Sequence, residues 1–130
     1  MMKANELTPG DWLYYRGRFN AFPLRVEQVT RRKVGYHAEP HENRMYYLRL
    51  HEVEPIALTS ETLERNGFKY YHKNFASLSY EDPFRLKMVE WPDENGLGGL
   101  WTLFDIIEIR FVHELQHALK LCKIDKEITL

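Results

Sequence analysis

With only one cysteine, Cys122, the chain cannot form an intrachain disulfide, so its fold must rest on packing and hydrogen bonds. A lone thiol fits a reducing compartment. No apolar run approaches the roughly 18 residues of a membrane span. The richest segment, Ile106 to Val112, is broken by Glu108 and Arg110. No apolar stretch of signal-peptide length follows Met1-Met2-Lys3-Ala4-Asn5-Glu6, so a cytoplasmic protein without membrane contact is expected. Charge of one sign is also missing: 18 Lys and Arg against 19 Asp and Glu give −1. That excludes a histone-like chain or an acidic tail, but not a local patch. Repeats, low-complexity tracts and Gly/Ser linkers are absent. What is present is 44% hydrophobic and 14% aromatic over 130 residues. That is enough for one folded domain with a core of its own.

Punctuation by turn residues divides the chain. Thr8-Pro9-Gly10-Asp11 reads as a turn before a strand at Trp12 to Tyr15, and Arg16-Gly17-Arg18 as a second turn. Leu24 to Val29 alternates apolar and polar with one slip, which suggests a bulge. Val34 to Ala38 and Met45 to Val53 continue the strand pattern. Four short strands in about 50 residues predict a small SH3-like barrel or curved antiparallel unit. Trp12, Val26, Leu48 and Val53 are its expected buried members. Thr59 is suited to cap a helix over Ser60 to Asn66, Gly67 to end it, and Leu63 and Phe68 to anchor it. Strands return at Tyr70–Tyr71, Ala76–Tyr80, Phe84–Trp91 and Leu100–Ile109, with a hairpin loop at Pro92 to Gly99. From Val112 the period turns helical, with Phe111, Leu115, Ala118, Leu119 and Cys122 on one stripe. The tail Glu127 to Leu130 is a candidate last strand. The class is α+β. A single domain of residues 1–130 is expected, with a barrel-like β part at 1–58. Helix, antiparallel strands and a C-terminal helix fill 59–130.

Two segments carry a resemblance. Glu52-Val53-Glu54-Pro55-Ile56-Ala57-Leu58-Thr59 running on to Asn66-Gly67-Phe68 is one, and Phe111-Val112-His113-Glu114-Leu115-Gln116-His117-Ala118-Leu119 is the other. With Asn5-Glu6-Leu7 and Gly10-Asp11-Trp12, they resemble a family of small uncharacterised proteins of Bacteroides-type gut bacteria, often carried on phage-like or mobile elements. The resemblance implies a bacterial, cytoplasmic setting and no particular chemistry. It also implies that glutamine often stands at position 114 and asparagine at 117.

His113-Glu114-Leu115-Gln116-His117 satisfies H-E-x-x-H, in which residues i and i+4 of a helix hold one zinc and the glutamate serves as general base. This reading is disfavoured. No histidine follows His117, and Lys120 and Lys123 stand where a metzincin has glycine and histidine. Lys120 shares the helix side of His113 and His117, and a cation beside Zn²⁺ is unfavourable. The pair is expected opposite the apolar stripe, on a polar outer face. His72 or Glu90 would have to supply a third ligand. His37, Glu39 and His41 would share one face of an extended segment, but Pro40 and the polar run to Arg44 read as a hairpin loop. Cys122 is expected as a small core residue, Glu52 and Glu54 as a solvated strand edge, and Gly96-Leu97-Gly98-Gly99 as a turn. No cofactor is expected.

Charge is divided unevenly. Residues 1–50 hold nine Lys and Arg and five Asp and Glu, a net of +4, against −5 for residues 51–130. Arg31-Arg32-Lys33 forms the one local cluster, expected at a strand–strand turn, and Arg16 and Arg18 join it as candidate nucleic-acid contacts. They interleave with Trp12, Tyr14, Tyr15, Phe19, Phe22 and Tyr36, the mixture of cations and rings that a nucleic-acid surface needs. The sequence favours a non-enzymatic cytoplasmic binding or accessory protein with a protein partner. A nucleic-acid-binding module using the basic half is the first alternative, and a zinc-dependent hydrolase through His113 and His117 the second.

Overall fold

A computed structural model of the chain describes residues 2–39, 42–70, 77–80, 86–91 and 99–130. The fold is α+β, with all strand pairs antiparallel, and its sheets are open. Among the described residues no closed barrel forms. The chain divides into two compact units, Met1–Ile56 and Ala57–Leu130.

The N-terminal unit contains two three-stranded sheets. β1 (Trp12–Arg16) lies between β2 (Ala21–Arg25) and β6 (Val53–Pro55). β4 (Lys33–Tyr36) lies between β3 (Gln28–Val29) and β5 (Tyr46–Arg49). The expected turn at Thr8–Asp11 forms, with Gly10 at a φ of +98° and the Asp11 N–H donating to the Thr8 carbonyl at 3.2 Å. The expected single strand Leu24–Val29 does not form. Its slip is a crossing between sheets, not a bulge. β2 ends at Arg25, the Val26 N–H donates to the Asp11 carbonyl, and the Glu27 N–H donates to the Gly35 carbonyl. Met45–Val53 divides in the same way, because a 3₁₀ turn at Leu50–Glu52 carries the chain from β5 to β6. Pro23 lies in β2, an edge strand, where a missing N–H costs nothing.

Leu13, Leu24, Val26, Val34, Leu50 and Val53 are buried together, with Tyr15, Phe22, Val29, Tyr36 and Leu48 packed against them. Val26 and Val53 are thus core residues, as expected. Leu48 is half-buried. Trp12 is also half-buried, because β1 turns its neighbour Leu13 fully inward and alternation puts Trp12 on the other face.

The second unit is a five-stranded sheet in the order β11–β10–β9–β8–β7, made by β7 (Lys69–Tyr70), β8 (Ser77–Tyr80), β9 (Leu86–Trp91), β10 (Leu100–Leu103) and β11 (Ile107–Ile109). The expected strand residues 71, 76, 84 and 85 and the loop at 92–98 lie outside the described residues. Helix α1 (Ser60–Arg65) is capped as the sequence predicts. The Thr59 hydroxyl accepts from the Thr62 N–H at 3.2 Å. Gly67, at a φ of +90°, closes the other end, with the Phe68 N–H donating to the Leu63 carbonyl at 3.0 Å and Leu63 and Phe68 both buried. Helix α2 (Val112–Leu121) follows β11. Trp101 is wholly buried and its indole N–H donates to the Leu58 carbonyl at 3.0 Å.

No strand forms at Glu127–Leu130. Instead Asn66 grips this segment: its side-chain oxygen accepts from the Thr129 N–H at 2.8 Å, and its NH₂ donates to the Thr129 carbonyl at 2.6 Å. Ile128 is buried beside this clamp. An Asn66→Ala substitution leaves both Thr129 groups without that partner. It is expected to lower unfolding free energy by about 1–3 kcal/mol in denaturant titration, with Thr129→Ala costing less, because it removes only the long 3.4 Å bond from the Thr129 hydroxyl to the Asn66 side-chain oxygen and keeps both backbone bonds.

Candidate functional site

The β3–β4 connection is a tight turn at Thr30–Lys33. The Thr30 N–H donates to the Lys33 carbonyl at 2.9 Å, and the Thr30 hydroxyl accepts from the Lys33 N–H at 3.1 Å. Arg31 and Arg32 occupy its tip, at the strand–strand turn the sequence predicts. The Leu50 N–H donates to the Arg32 carbonyl at 3.0 Å, which ties the end of β5 to this turn. The result is an open pocket of about 560 Å³ lined by Arg31, Arg32, Lys33, Arg49, Leu50 and His51.

Arg49 was not singled out by sequence, yet register makes it central. Antiparallel pairing sets Lys33 directly opposite Arg49 and Gly35 opposite Tyr47. Lys33, Tyr47 and Arg49 are exposed on one face, while Val34 is buried and Leu48 half-buried on the other. Like charges in direct cross-strand register repel. Among the described residues no carboxylate lies within 4 Å of the side-chain nitrogens of Arg31, Arg32, Lys33 or Arg49. The nearby Glu52 carboxylate accepts the backbone N–H of Arg49 at 3.1 Å. The signal that could have found Arg49 was the alternation of Tyr47 and Arg49 along the last strand before Leu50.

Arg16 and Arg18 do not line this pocket. Arg16 is paired with Glu54, Nε to Oε1 at 3.1 Å, and also lies over the Tyr14 ring. Arg18 lies over Phe19 at 5.4 Å from the ring centre. Glu54 is therefore a partner for a cation rather than half of a carboxylate pair. Tyr15, Phe22, Tyr36 and Tyr46 form a chain of ring contacts with centres 5.1–5.8 Å apart. A second hollow, of about 390 Å³, is lined by Phe22, Pro23, Leu24, Tyr36, His37 and Ala38. His37 donates from Nδ1 to the Arg44 carbonyl at 2.9 Å and so closes the β4–β5 loop. His41 lies outside the described residues.

In α2 the H-E-x-x-H atoms serve the helix. The Glu114 carboxylate accepts the backbone N–H groups of Arg110 at 2.9 Å and Phe111 at 3.0 Å. This is the glutamate half of a capping box, placed at the third helical position. His113 is not on an outer face. It is 5% exposed, stacked on Phe111 and edge-on to His117 with ring centres 5.5 Å apart. The buried sector is wider than the apolar stripe predicts: Val112, His113 and Gln116 are buried as well, and the Phe111 ring stacks on the His113 imidazole. His117 is half-buried and Lys120 exposed. Among the described residues no three His, Cys, Asp or Glu side chains gather as a metal site, Glu90 included. His72 lies outside them.

Cys122 is exposed, not core. The helix ends at Leu121, Lys123 turns left-handed at a φ of +57°, and the Ile124 N–H donates to the Leu119 carbonyl at 2.8 Å. Residue 122 is thereby turned off the stripe. No helix among the described residues is long and apolar enough to cross a membrane.

Comparisons with protein-family models, curated proteins and solved structures found no match for this chain.

Two outcomes follow from these environments. Glu114→Ala should cost about 1 kcal/mol of stability, whereas Glu114→Gln, which can still accept the same N–H groups, should cost little. With zinc supplied, peptide hydrolysis by wild type that vanishes in Glu114→Gln would contradict the capping role. Tyr36 is held above its ordinary value of 10.0, first by burial and then by Tyr46 and Tyr15. Its neutral form is favoured in the fold, so the unfolded chain ionises first. That stabilisation is complete below about pH 10 and lost as pH climbs through the raised value. Tyr36→Phe should flatten this part of a stability–pH curve taken between about pH 9 and 11.

Proposed function

We propose that this protein is a non-enzymatic binding module whose N-terminal unit takes a nucleic acid by its phosphates. The observation that carries this reading is the Arg31–Arg32–Lys33–Arg49 group: four cations around one open pocket, two of them opposite each other in register. A phosphate placed between Lys33 and Arg49 converts a repulsion into two charge-assisted contacts. Arginine contributes a planar fork matched to phosphate oxygens, and lysine a mobile point charge. An anion of this kind stabilises the sheet that binds it, since it interacts with the folded state and not the unfolded one.

The zinc-hydrolase alternative loses support because Glu114 is already engaged by two backbone N–H groups. The protein-partner reading has its own observation. Phe104 and Ile106 are exposed at the turn between β10 and β11, in the other unit. A cytoplasmic, mobile-element setting, implied by the resemblance alone, is compatible with either role.

Binding to a generic oligonucleotide followed by fluorescence anisotropy tests the proposal. If three or four phosphates are neutralised, affinity should fall roughly 50- to 150-fold between about 50 and 200 mM salt on a duplex, because each contact releases counterion. Replacing Arg31, Arg32 and Lys33 together with alanine should remove most of the binding and flatten the salt slope. Equal affinity for polyglutamate would show that charge alone is being read. No binding at low salt would overturn the proposal in favour of a protein partner.

A further inference from the structure

The outer face of the β3–β4–β5 sheet carries a second feature beside the cations. Gln28, Gly35 and Tyr47 form one cross-strand row. The Tyr47 ring lies over Gly35: a Cβ built on that glycine would stand 3.1 Å from Tyr47 Cε1 and 3.0 Å from Met45 Cγ. Across the sheet the Tyr47 hydroxyl donates to Gln28 Oε1 at 2.9 Å. The ring is thus laid across the sheet and anchored at its tip, and the residue remains 49% exposed.

Other surface rings of this unit are differently covered. Arg16 lies over Tyr14, Arg18 over Phe19 and Arg44 over Tyr46. Among the described residues no cation lies over Tyr47. Its nearest functional neighbours are the Lys33–Arg49 pair, in the next outward-facing row, about 6–7 Å along the strand. An anchored aromatic face next to unneutralised cations offers a base somewhere to stack and its phosphate somewhere to sit.

Resting on the phosphate-binding reading above, we propose that the ligand is a single-stranded nucleic acid, with one base stacked on Tyr47 and its neighbouring phosphate held by Lys33 and Arg49. A paired duplex cannot offer this contact, since its base faces are already stacked on one another. The face reads π-surface and charge, so sequence preference is weak and DNA and RNA strands share the site. Gly35 acts as a positioning residue, because a methyl group at its position would make the Tyr47 ring and the Met45 side chain give by a few tenths of an ångström.

The experiment compares 15-nucleotide oligo-dT and oligo-U with a 15-base-pair duplex, using the full chain at low salt. Wild type should bind both single strands more tightly than the duplex. Tyr47→Ala should weaken single-strand binding roughly 5- to 150-fold and leave duplex binding nearly unchanged. Tyr47→Phe should retain most of the affinity, and Gly35→Ala, checked for unchanged melting temperature, should weaken single-strand binding less than Tyr47→Ala. If Tyr47→Ala binds single strands like wild type while all three ligands still show steep salt dependence, the stacking site is wrong and phosphate binding stands. If none of the three binds even at low salt, both proposals fall together.

Discussion

Lys33 and Arg49 face each other because nothing else about β4 and β5 can change without exposing the core. Val34 is wholly buried and pairs with Leu48, which packs on the same cluster. A strand alternates with period two, so burying Val34 and Leu48 forces Lys33, Tyr47 and Arg49 outward. A one-residue slip of either strand would separate the cations but turn Lys33 or Arg49, whichever strand had slipped, onto the core face. Burial of one or two aliphatic side chains is worth about 1.5–3 kcal/mol each. An exposed like-charge pair costs about 1 kcal/mol or less. Packing wins, and the surface inherits the repulsion.

The same priority of packing over motif holds in α2. H-E-x-x-H specifies chemistry only if the glutamate is left to meet a water and the imidazoles to meet a metal. Here the helix starts at Val112, immediately after the Arg110–Phe111 corner, and Phe111 has no side-chain acceptor for a helix N-terminus. Glu114, three residues on, reaches back to two N–H groups that would otherwise lack a partner. A carboxylate accepting two N–H groups is a local structural device. Asparagine or glutamine can accept a hydrogen bond too, which is why an amide at 114 is compatible with the same corner.

Legibility followed the range of the forces involved. The Thr59–Gly67 helix could be read to within a residue, because a hydroxyl cap and a left-handed glycine act over one turn. The turn at Thr8–Asp11 and the basic turn at Arg31–Arg32 were readable for the same reason. The division of Leu24–Val29 was not, since one slip in the alternation reads equally well as a bulge, and only long-range bonds from Val26 to Asp11 and Glu27 to Gly35 reveal a change of sheet. Trp12 and Leu13 are adjacent apolar residues, and which of them faces inward depends on where β2 and β6 pair with β1. His113 was misplaced because helical periodicity describes one packed side, whereas burial here extends past the stripe to His113, with the Phe111 ring stacked on it. Arg49 lies 16 residues from Lys33 in sequence, and only the register joins them.

Departures from local rules differ in whether the fold accounts for them. Phe104 and Asp105 both adopt left-handed backbone, at φ of 56° and 61°, where non-glycine residues are strained. The hairpin accounts for this: a tight connection between β10 and β11 needs positive φ at both central positions to match the strand twist. The Ile106 N–H closes the turn onto the Leu103 carbonyl at 3.2 Å, and Lys87 reaches Asp105 at 3.7 Å. The outer face of the β3–β4–β5 sheet collects three departures that register and packing place side by side but do not offset. A glycine sits mid-strand, an aromatic ring is laid out to solvent, and two cations oppose each other with no carboxylate, among the described residues, within 4 Å of their side-chain nitrogens. A mid-strand glycine weakens a sheet unless something approaches it closely, and here the Tyr47 ring and the Met45 side chain both do. Removing the cations would leave the ring an isolated surface aromatic. Local conflicts that cluster in this way are expected where a surface is shaped for a ligand; on the proposed reading, that ligand brings both a negative charge and a flat face.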